Sequence, residues 1–377
     1  MNDKPRYFEG KRREIVRLIL NNGCIPLQDL SLVTDNVTTF RQQIYKMVKE
    51  GVLVKEHKDH LYYVTFKDYP KNAKLLTEGF KDEPTLTKYF EMFGMNDNYF
   101  LATGNYQRKR RIVYNAEASI FFESAGLSSQ IGKKPNLYHS SLPLGTKAYF
   151  NSREVKGVDT YSISMDKDLQ QLIGKTYNNG IIVTPGGTYA VINTGNSLLH
   201  YDAGETKFKN YVEHLAATKQ LPKYNGCILL TRDYDTQFNY LTSTAKHWTN
   251  RLNSLFFGYE KVYAVNIDRE GKNFIKLLSF SDWESKLLAD FLPGKRKNSN
   301  SVVECDAQDD DAYYLLYAKP DLMKLKQFVT AAKSVDEKDR FVIICFESQK
   351  DFLLRYTEGS CRIFTASLSD YLGGINE

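Results

Sequence analysis

Hydrophobic and polar residues along the first fifty positions follow helical periods. The pattern predicts a first helix over 11–21, and Gly23 stands where a helix should end. A second, short helix is predicted over 26–32, because the missing N–H of Pro26 costs nothing in a first helical turn. A turn then separates these two short elements from a longer third one.

The third helix is predicted over 38–50, and its two faces differ in chemistry. Its apolar residues recur at i, i+4, i+7 and i+8 and form one inward stripe, namely Phe40, Ile44, Met47 and Val48. The opposite face carries Thr38, Thr39, Arg41, Gln42, Tyr45, Lys46 and Lys49. Arg and Gln form paired hydrogen bonds with base edges and Lys acts as a point charge, so this face is a candidate DNA-reading surface.

The pattern changes to strand-like alternation after Gly51. Residues 52–55 are predicted to pair with 61–66 around a polar tip, His57, Lys58, Asp59 and His60. Such a tip commonly touches the DNA backbone or the minor groove, which makes His57, Lys58 and His60 candidate DNA contacts. Three helices followed by a hairpin form the pattern of a winged helix-turn-helix, a module that usually binds duplex DNA. Winged helices also dock proteins, and that alternative stays open.

The distribution of charge favours the DNA-binding reading. Residues 1–75 contain 14 Lys and Arg and 9 Asp and Glu, a net charge of +5. The whole chain has 51 and 45, so the remaining residues hold 37 and 36, a net charge of +1. Almost all of the excess positive charge therefore lies on the predicted DNA-binding module.

The 377 residues are enough for two or three domains. No run of eighteen apolar residues and no N-terminal signal-like stretch is present, so we expect a cytoplasmic protein without membrane association. The five cysteines are single and mostly lie in apolar runs, which predicts small buried side chains in a reducing compartment and not metal ligands or disulfides.

Residues 71–146 are predicted to connect two domains, 1–70 and 147–377. Within the connector, 69–103 is largely helical in period, and a second helix is predicted over 112–125. Four adjacent cations precede that helix and are candidate phosphate ligands, although a solvated loop or a protein-binding site is an equal alternative: Arg108, Lys109, Arg110 and Arg111. The turn-rich segment 126–146 is predicted to be a mobile linker or a long surface loop.

The last domain is predicted to be α/β. Strand-like runs occur at 180–183, 189–193, 227–231, 262–267, 313–318, 341–346 and 362–365, and helical patterns at 205–219, 237–257, 273–291, 320–333 and 349–355. This alternation favours a mainly parallel sheet covered by helices on both faces. The polar segment 295–311 interrupts it and is predicted to be an exposed loop.

No complete catalytic motif is found in that domain. Glycine-rich nucleotide-binding motifs are missing, and Gly186-Gly187 is better explained as a hairpin turn. Asp202, Glu205 and Lys207 resemble the acidic and basic residues of a metal-dependent nuclease, but carboxylates in the first turn of a helix explain the same pattern. We therefore expect no enzyme activity, no cofactor and no metal, and keep the nuclease as an alternative.

Several short sequence motifs of the chain resemble those of proteins encoded on conjugative and mobilizable elements of Gram-positive bacteria. They are Arg110-Arg111 with Ala116-Glu117 and Ala125-Gly126, the run 149–156 (YFNSREVK), and the run 189–196 (YAVINTGN). The chain is similar to the replication-relaxation or mobilization-accessory group, whose members have an N-terminal winged helix and a C-terminal domain related to restriction endonucleases, usually without a complete active site.

The resemblance implies a relaxosome accessory protein that binds a transfer origin, often on a plasmid, and assists a separate relaxase during conjugation. It provides no catalytic residues to carry over. The expected partners are double-stranded DNA and a relaxase, and a homodimer stays open. A regulator of transcription or replication initiation with the same DNA-binding module is the main alternative.

Overall fold

The computed structural model describes residues 9–58, 61–67, 106–137, 141–161, 178–196, 198, 203–243, 258–297, 303–335 and 338–366. The chain divides into two compact units, one formed by Met1–Asn136 with Ala148–Ser152 and one by Leu137–Lys147 with Arg153–Glu377. The part of the predicted connector at 69–103 lies outside the described residues, as do parts of several predicted loops.

The first unit contains four helices and four short strands among its described residues. In chain order these are α1 (Gly10–Asn22), β1 (Ile25–Pro26), α2 (Leu30–Val33), α3 (Val37–Lys49), β2 (Leu53–Lys58), β3 (Leu61–Phe66), α4 (Tyr106–Ser124) and β4 (Ala148–Asn151). A single 3-10 turn, Leu27–Asp29, lies between β1 and α2. The predicted first and third helices are confirmed to within one residue at each end.

Strand β1 pairs with the β2–β3 hairpin and completes a three-stranded antiparallel sheet in the order β1-β3-β2. Ile25 pairs with Val64 and Pro26 with Tyr63. The sequence prediction placed Pro26 in a helix, whereas the structure has it extended at φ −63° and ψ 126°. A strand of two residues has no periodicity of its own, so only its pairing with β3 distinguishes it from a helix start.

Helix α4 is part of the first unit, and its apolar residues join the core formed by the earlier elements. Ile120 packs with Phe40, Ile44 and other buried side chains of α1, α3 and the hairpin. Ile131, in the segment predicted to be a mobile linker, is buried in the same core. Residues 127–136 therefore pack against this unit, because their few apolar side chains find partners that sequence alone does not reveal.

The second unit contains seven helices and nine strands among the residues described. They are α5 (Ser152–Tyr161), β5 (Gly180–Thr184), β6 (Gly187–Asn193), α6 (Ala203–Thr218), β7 (Tyr224–Thr231), α7 (Tyr234–Thr242), β8 (Val262–Asn266), α8 (Arg269–Leu277), α9 (Trp283–Phe291), β9 (Arg296–Lys297), β10 (Ala307–Gln308), β11 (Tyr313–Leu316), α10 (Leu322–Lys333), β12 (Phe341–Phe346), α11 (Lys350–Thr357) and β13 (Arg362–Ala366).

These strands form two sheets, where the sequence predicted one. Strands β5 and β6 are antiparallel and joined at Pro185-Gly186, which confirms the predicted hairpin, and β7 and β8 continue in parallel from β6. The second sheet has the order β13-β12-β11-β10-β9, parallel from β13 to β11 and antiparallel beyond. The mixed α/β class is confirmed. The number of sheets depends on which strands meet, and the alternation of strands and helices does not contain that information.

The segment 295–311 contributes β9 and β10 and has buried side chains at Cys305, Asp306 and Ala307, so it is not simply an exposed loop. All five cysteines are buried and unpaired by disulfides, as predicted. Within the described parts of the chain, no helix combines the length and hydropathy that a membrane span requires.

Candidate nucleic-acid interface

Helix α3 is stabilised by a hydrogen-bonded cap at its start and by burial of its apolar stripe. At its start the Asn36 side-chain oxygen accepts a hydrogen bond from the backbone N–H of Thr39 at 3.0 Å, which caps one of the unpaired donors of the first turn. Phe40, Ile44 and Met47 are buried in the core of the first unit. Burial of this stripe fixes which side of the helix faces solvent.

The outward side of α3 carries the side chains predicted from the sequence. The exposed residues are Thr38, Arg41, Gln42, Tyr45, Lys46 and Lys49. Tyr45 is 59% exposed, and the ammonium group of Lys49 lies 4.7 Å from the centre of its ring. Thr39 is half-buried at the flank. This surface, which we call the α3 face, contains three cations and no carboxylate.

The Glu50 carboxylate, directly after α3, is directed toward α1 and not toward the α3 face. Arg12 of α1 binds Glu50 through two hydrogen bonds of 2.8 and 3.0 Å, and its Nε donates to the Gln43 side chain at 3.2 Å. A bidentate pair of this kind holds both partners in one geometry. Gln43 and Glu50 therefore face α1, and the negative charge of Glu50 is compensated away from the α3 face.

The outer part of the β2–β3 hairpin exposes aromatic and basic side chains on one face, and the rest of that face is buried in the core. His57 pairs directly with Tyr62 across the strands, and their rings stack with centres 4.0 Å apart and planes 10° apart. The Lys55 ammonium lies 6.0 Å from the centre of the Tyr62 ring. Sequence reasoning missed Lys55 and Tyr62 as site residues, although period-two alternation places them on the same face as His57. The side chain of Lys58 and all of His60 lie outside the described residues.

The opposite face of the hairpin is attached to α4. Lys109 forms an ion pair with the Glu56 carboxylate at 2.8 Å, and the Tyr63 hydroxyl donates a hydrogen bond of 2.5 Å to the same oxygen. Partial burial acts to raise the pKa of Glu56, but these two hydrogen bonds outweigh it and hold the pKa below its ordinary value. Burial and the adjacent Glu56 charge raise the pKa of the Tyr63 hydroxyl far above its ordinary value. Glu56 is therefore charged and Tyr63 neutral at physiological pH.

The basic cluster at 108–111 lies in the first turns of α4, whereas the sequence placed it before a helix. Lys109 is engaged with Glu56. The Arg110 guanidinium lies 5.2 Å from the centre of the Tyr114 ring, and its Nε donates to the Tyr114 hydroxyl at 3.2 Å. Arg111 is half-buried, and the side chain of Arg108 lies outside the described residues. Lys109 and Arg110 thus contact other side chains of the first unit, and the described members of the cluster do not form one open patch.

The predicted nuclease residues are only partly described. Asp202 and the side chain of Glu205 lie outside the described residues, whereas Lys207 is exposed on α6. Over the ranges that the structure covers, no three His, Cys, Asp or Glu side chains are grouped so that they could hold a metal ion.

Comparison with known proteins found no match to this chain among protein-family models, curated proteins or solved structures. The resemblance to mobilization-accessory proteins therefore stays a prediction from the sequence.

Proposed function

We propose that the first unit is a winged helix-turn-helix that binds double-stranded DNA, with α3 as the recognition helix and the β2–β3 hairpin as the wing. The observation that carries the proposal is the α3 face, an uninterrupted polar and basic surface on a capped helix whose other side is buried. The order of helices and strands and the β1-β3-β2 sheet support it. An α-helix fits the major groove of B-form DNA, where each base pair shows a distinct pattern of donors and acceptors.

Each part of the surface has a separate role in this proposal. Arg41 and Gln42 read base edges, because each can form paired hydrogen bonds with one base. Lys46 and Lys49 neutralise phosphates beside the groove, and each such contact makes binding more sensitive to salt. The stacked rings of His57 and Tyr62 approach the backbone or the minor groove next to the site of α3.

The wider role that we propose is a non-enzymatic accessory protein for DNA mobilization. It binds a transfer origin in the cytoplasm and assists a separate relaxase, with the second unit as a docking platform. This part rests on the resemblance of the sequence to mobilization-accessory proteins and on the DNA-binding surface of the first unit. A restriction-endonuclease-like origin of the second unit also remains a prediction from that resemblance.

Binding to DNA is tested with the full chain on duplexes selected from a randomised pool. We expect selection to recover a defined sequence, and Arg41→Ala or Gln42→Ala to weaken binding to it by about 1 to 3 kcal/mol each. The matched control is Gln43→Ala, on the same helix but facing Arg12, which should leave the affinity for DNA nearly unchanged. Failure to recover any sequence, or equal losses for all three variants, would refute the assignment of the α3 face.

The mobilization role is tested separately by footprinting the protein on DNA of the element that encodes it. Protection of a transfer origin next to the nick site supports an accessory role in mobilization. Protection of a promoter or a replication origin alone would contradict that role and support a regulator with the same DNA-binding unit.

A further inference from the structure

The second unit contains a polar cavity of about 340 Å³ beside the carboxyl end of β11. Lys319 and Asp321 belong to the loop that leaves this strand, and Asp306 reaches the cavity from the residue before β10. Small-molecule sites in α/β sheets lie preferentially at the carboxyl ends of strands, and this volume falls in the usual range for them. The rim is open to solvent and carries Lys261 and three carboxylates, Glu260, Glu284 and Glu304, whose side chains are 37 to 85% exposed.

Two ammonium groups meet on the wall of this cavity. The Nζ atoms of Lys319 and Lys324 lie 2.6 and 2.7 Å from the same oxygen of Asp306, whose other oxygen accepts the backbone N–H of Leu316 at 2.8 Å. Burial acts to raise the pKa of Asp306, but the two lysines outweigh it and lower the pKa, so the carboxylate stays charged. Each ammonium has three donors, and the described residues accept only one hydrogen bond from Lys319 although its side chain is only 9% exposed.

Asp321 adds a buried acceptor to the same cavity. Its Oδ1 accepts backbone N–H groups of Met323 at 3.0 Å and of Lys324 and Val262 at 3.4 Å, whereas its Oδ2 accepts no hydrogen bond from any residue that the structure describes. The residue is 8% exposed. It caps α10, so the positive end of that twelve-residue helix is directed to the same place.

The unused groups define the chemistry of a ligand. The N-terminal N–H groups of α10 are already taken by Asp321, so the spare ammonium donors are what call for a negatively charged group with several acceptor oxygens. The free oxygen of Asp321 calls for a donor on that same group. Hydrogen phosphate and protonated phosphomonoesters have both features, sulfate has no proton at neutral pH, and the phosphodiesters inside a DNA strand have none either.

We propose that this cavity binds a phosphate group that retains a proton, with Lys319 and Lys324 donating to its oxygens and Asp321 accepting its P–OH. Burial raises the pKa of Asp321 to about 6, so carboxylate and ligand compete for one proton close to neutral pH. Internal phosphodiesters lack the proton that this site requires, so we do not expect the site to bind the DNA backbone.

The first test is a calorimetric titration of the full chain with inorganic phosphate and with sulfate, at constant ionic strength near pH 6.5. We expect phosphate to bind at least about tenfold more tightly than sulfate. Lys319→Met and Lys324→Met should weaken phosphate binding by about tenfold or more, while Lys333→Met, a cation on the outer part of α10 paired with Glu358, should not. No binding of millimolar phosphate, or equal binding of both anions, would overturn the proposal.

The second test uses Asp321→Asn, which keeps an oxygen for the helix cap and places an amide donor in the cavity. Sulfate should then bind as well as or better than phosphate, a reversal that a purely structural role of Asp321 does not predict. This variant also covers the case in which removal of a buried lysine unfolds the protein. An unchanged preference for phosphate in Asp321→Asn would contradict the assigned hydrogen bond.

The source of the phosphate is determined by competition with a 5′-phosphorylated oligonucleotide and its unphosphorylated counterpart. A phosphorylated oligonucleotide that displaces inorganic phosphate more effectively supports a DNA terminus as the ligand. Displacement by small phosphomonoesters alone supports a free metabolite. Either result supports the site, whereas displacement by the unphosphorylated oligonucleotide would overturn it.

Discussion

Replacing Lys109 by Met should weaken DNA binding without changing its dependence on salt. The sequence makes Lys109 one of four candidate phosphate ligands, but its ammonium is paired with Glu56 on the inner face of the wing. Lys109 therefore positions the hairpin, and its loss releases the hairpin from α4. The effect on DNA arises from the altered wing and not from a lost phosphate contact, and this prediction rests on the proposed DNA-binding function.

The expected magnitude follows from the geometry of the pair. The Lys109 and Glu56 side chains are 24% and 29% exposed, so solvent screens their attraction in part. We expect Lys109→Met to lower the free energy of unfolding of the first unit by about 1 kcal/mol. Because the pKa of Glu56 is below its ordinary value of 4.5, this stabilisation is present above that pH and is lost as the pH falls further.

The assay is an equilibrium titration of a selected duplex at several salt concentrations. A lysine that neutralises one phosphate contributes about 0.9 to the slope of log affinity against log salt. Lys109→Met and Glu56→Gln should leave the slope unchanged, whereas the control Lys46→Met, an exposed cation of the α3 face, should reduce it by about 0.9. A reduction of that size in Lys109→Met would refute the positioning role.

Three further predictions concern the second unit. Lys319→Met removes one of two ammonium groups from the buried carboxylate of Asp306, and urea denaturation should show a loss of about 2 to 3 kcal/mol, while a loss near zero would contradict the buried pair. A Cβ at Gly271 would clash with the backbone oxygen of Asn266, so Gly271→Ala should destabilise the unit by about 1 to 3 kcal/mol, and an unchanged melting temperature would refute this. The raised pKa of Asp321, about 6 against 3.8, means that its contribution to stability is lost as the pH rises through 6. The stability of Asp321→Asn relative to wild type should then improve by about 2 to 3 kcal/mol between pH 4 and 7, and a difference independent of pH would contradict it.

The candidate interface was largely predictable because its signals are local. The apolar stripe of α3 depends on residues three and four positions apart, so its period identifies both the helix and the face left for solvent. The hairpin at Pro185-Gly186 depends on adjacent residues in the same way. Where a structural element depends only on residues close together in the chain, composition and spacing are enough to predict most of it.

The features that sequence reasoning missed depend on residues far apart in the chain. Lys109 meets Glu56 across fifty-three positions, so an apparently open basic cluster becomes an internal support for the wing. The strand β1 exists only through its pairing with β3. Asp306 lies in a polar stretch that is typical of a loop, and only the fold brings Lys319 and Lys324 to it.

The most direct test of the account is to measure which base pairs depend on Arg41 and Gln42. Each base pair of the selected duplex is replaced in turn, and affinities are compared for wild type, Arg41→Ala, Gln42→Ala and the control Gln43→Ala. We predict that each of the first two variants loses discrimination of about 1 to 3 kcal/mol at one position, while the control retains the full preference of the wild type. Identical base preferences in all four proteins would contradict the claim that the α3 face reads DNA.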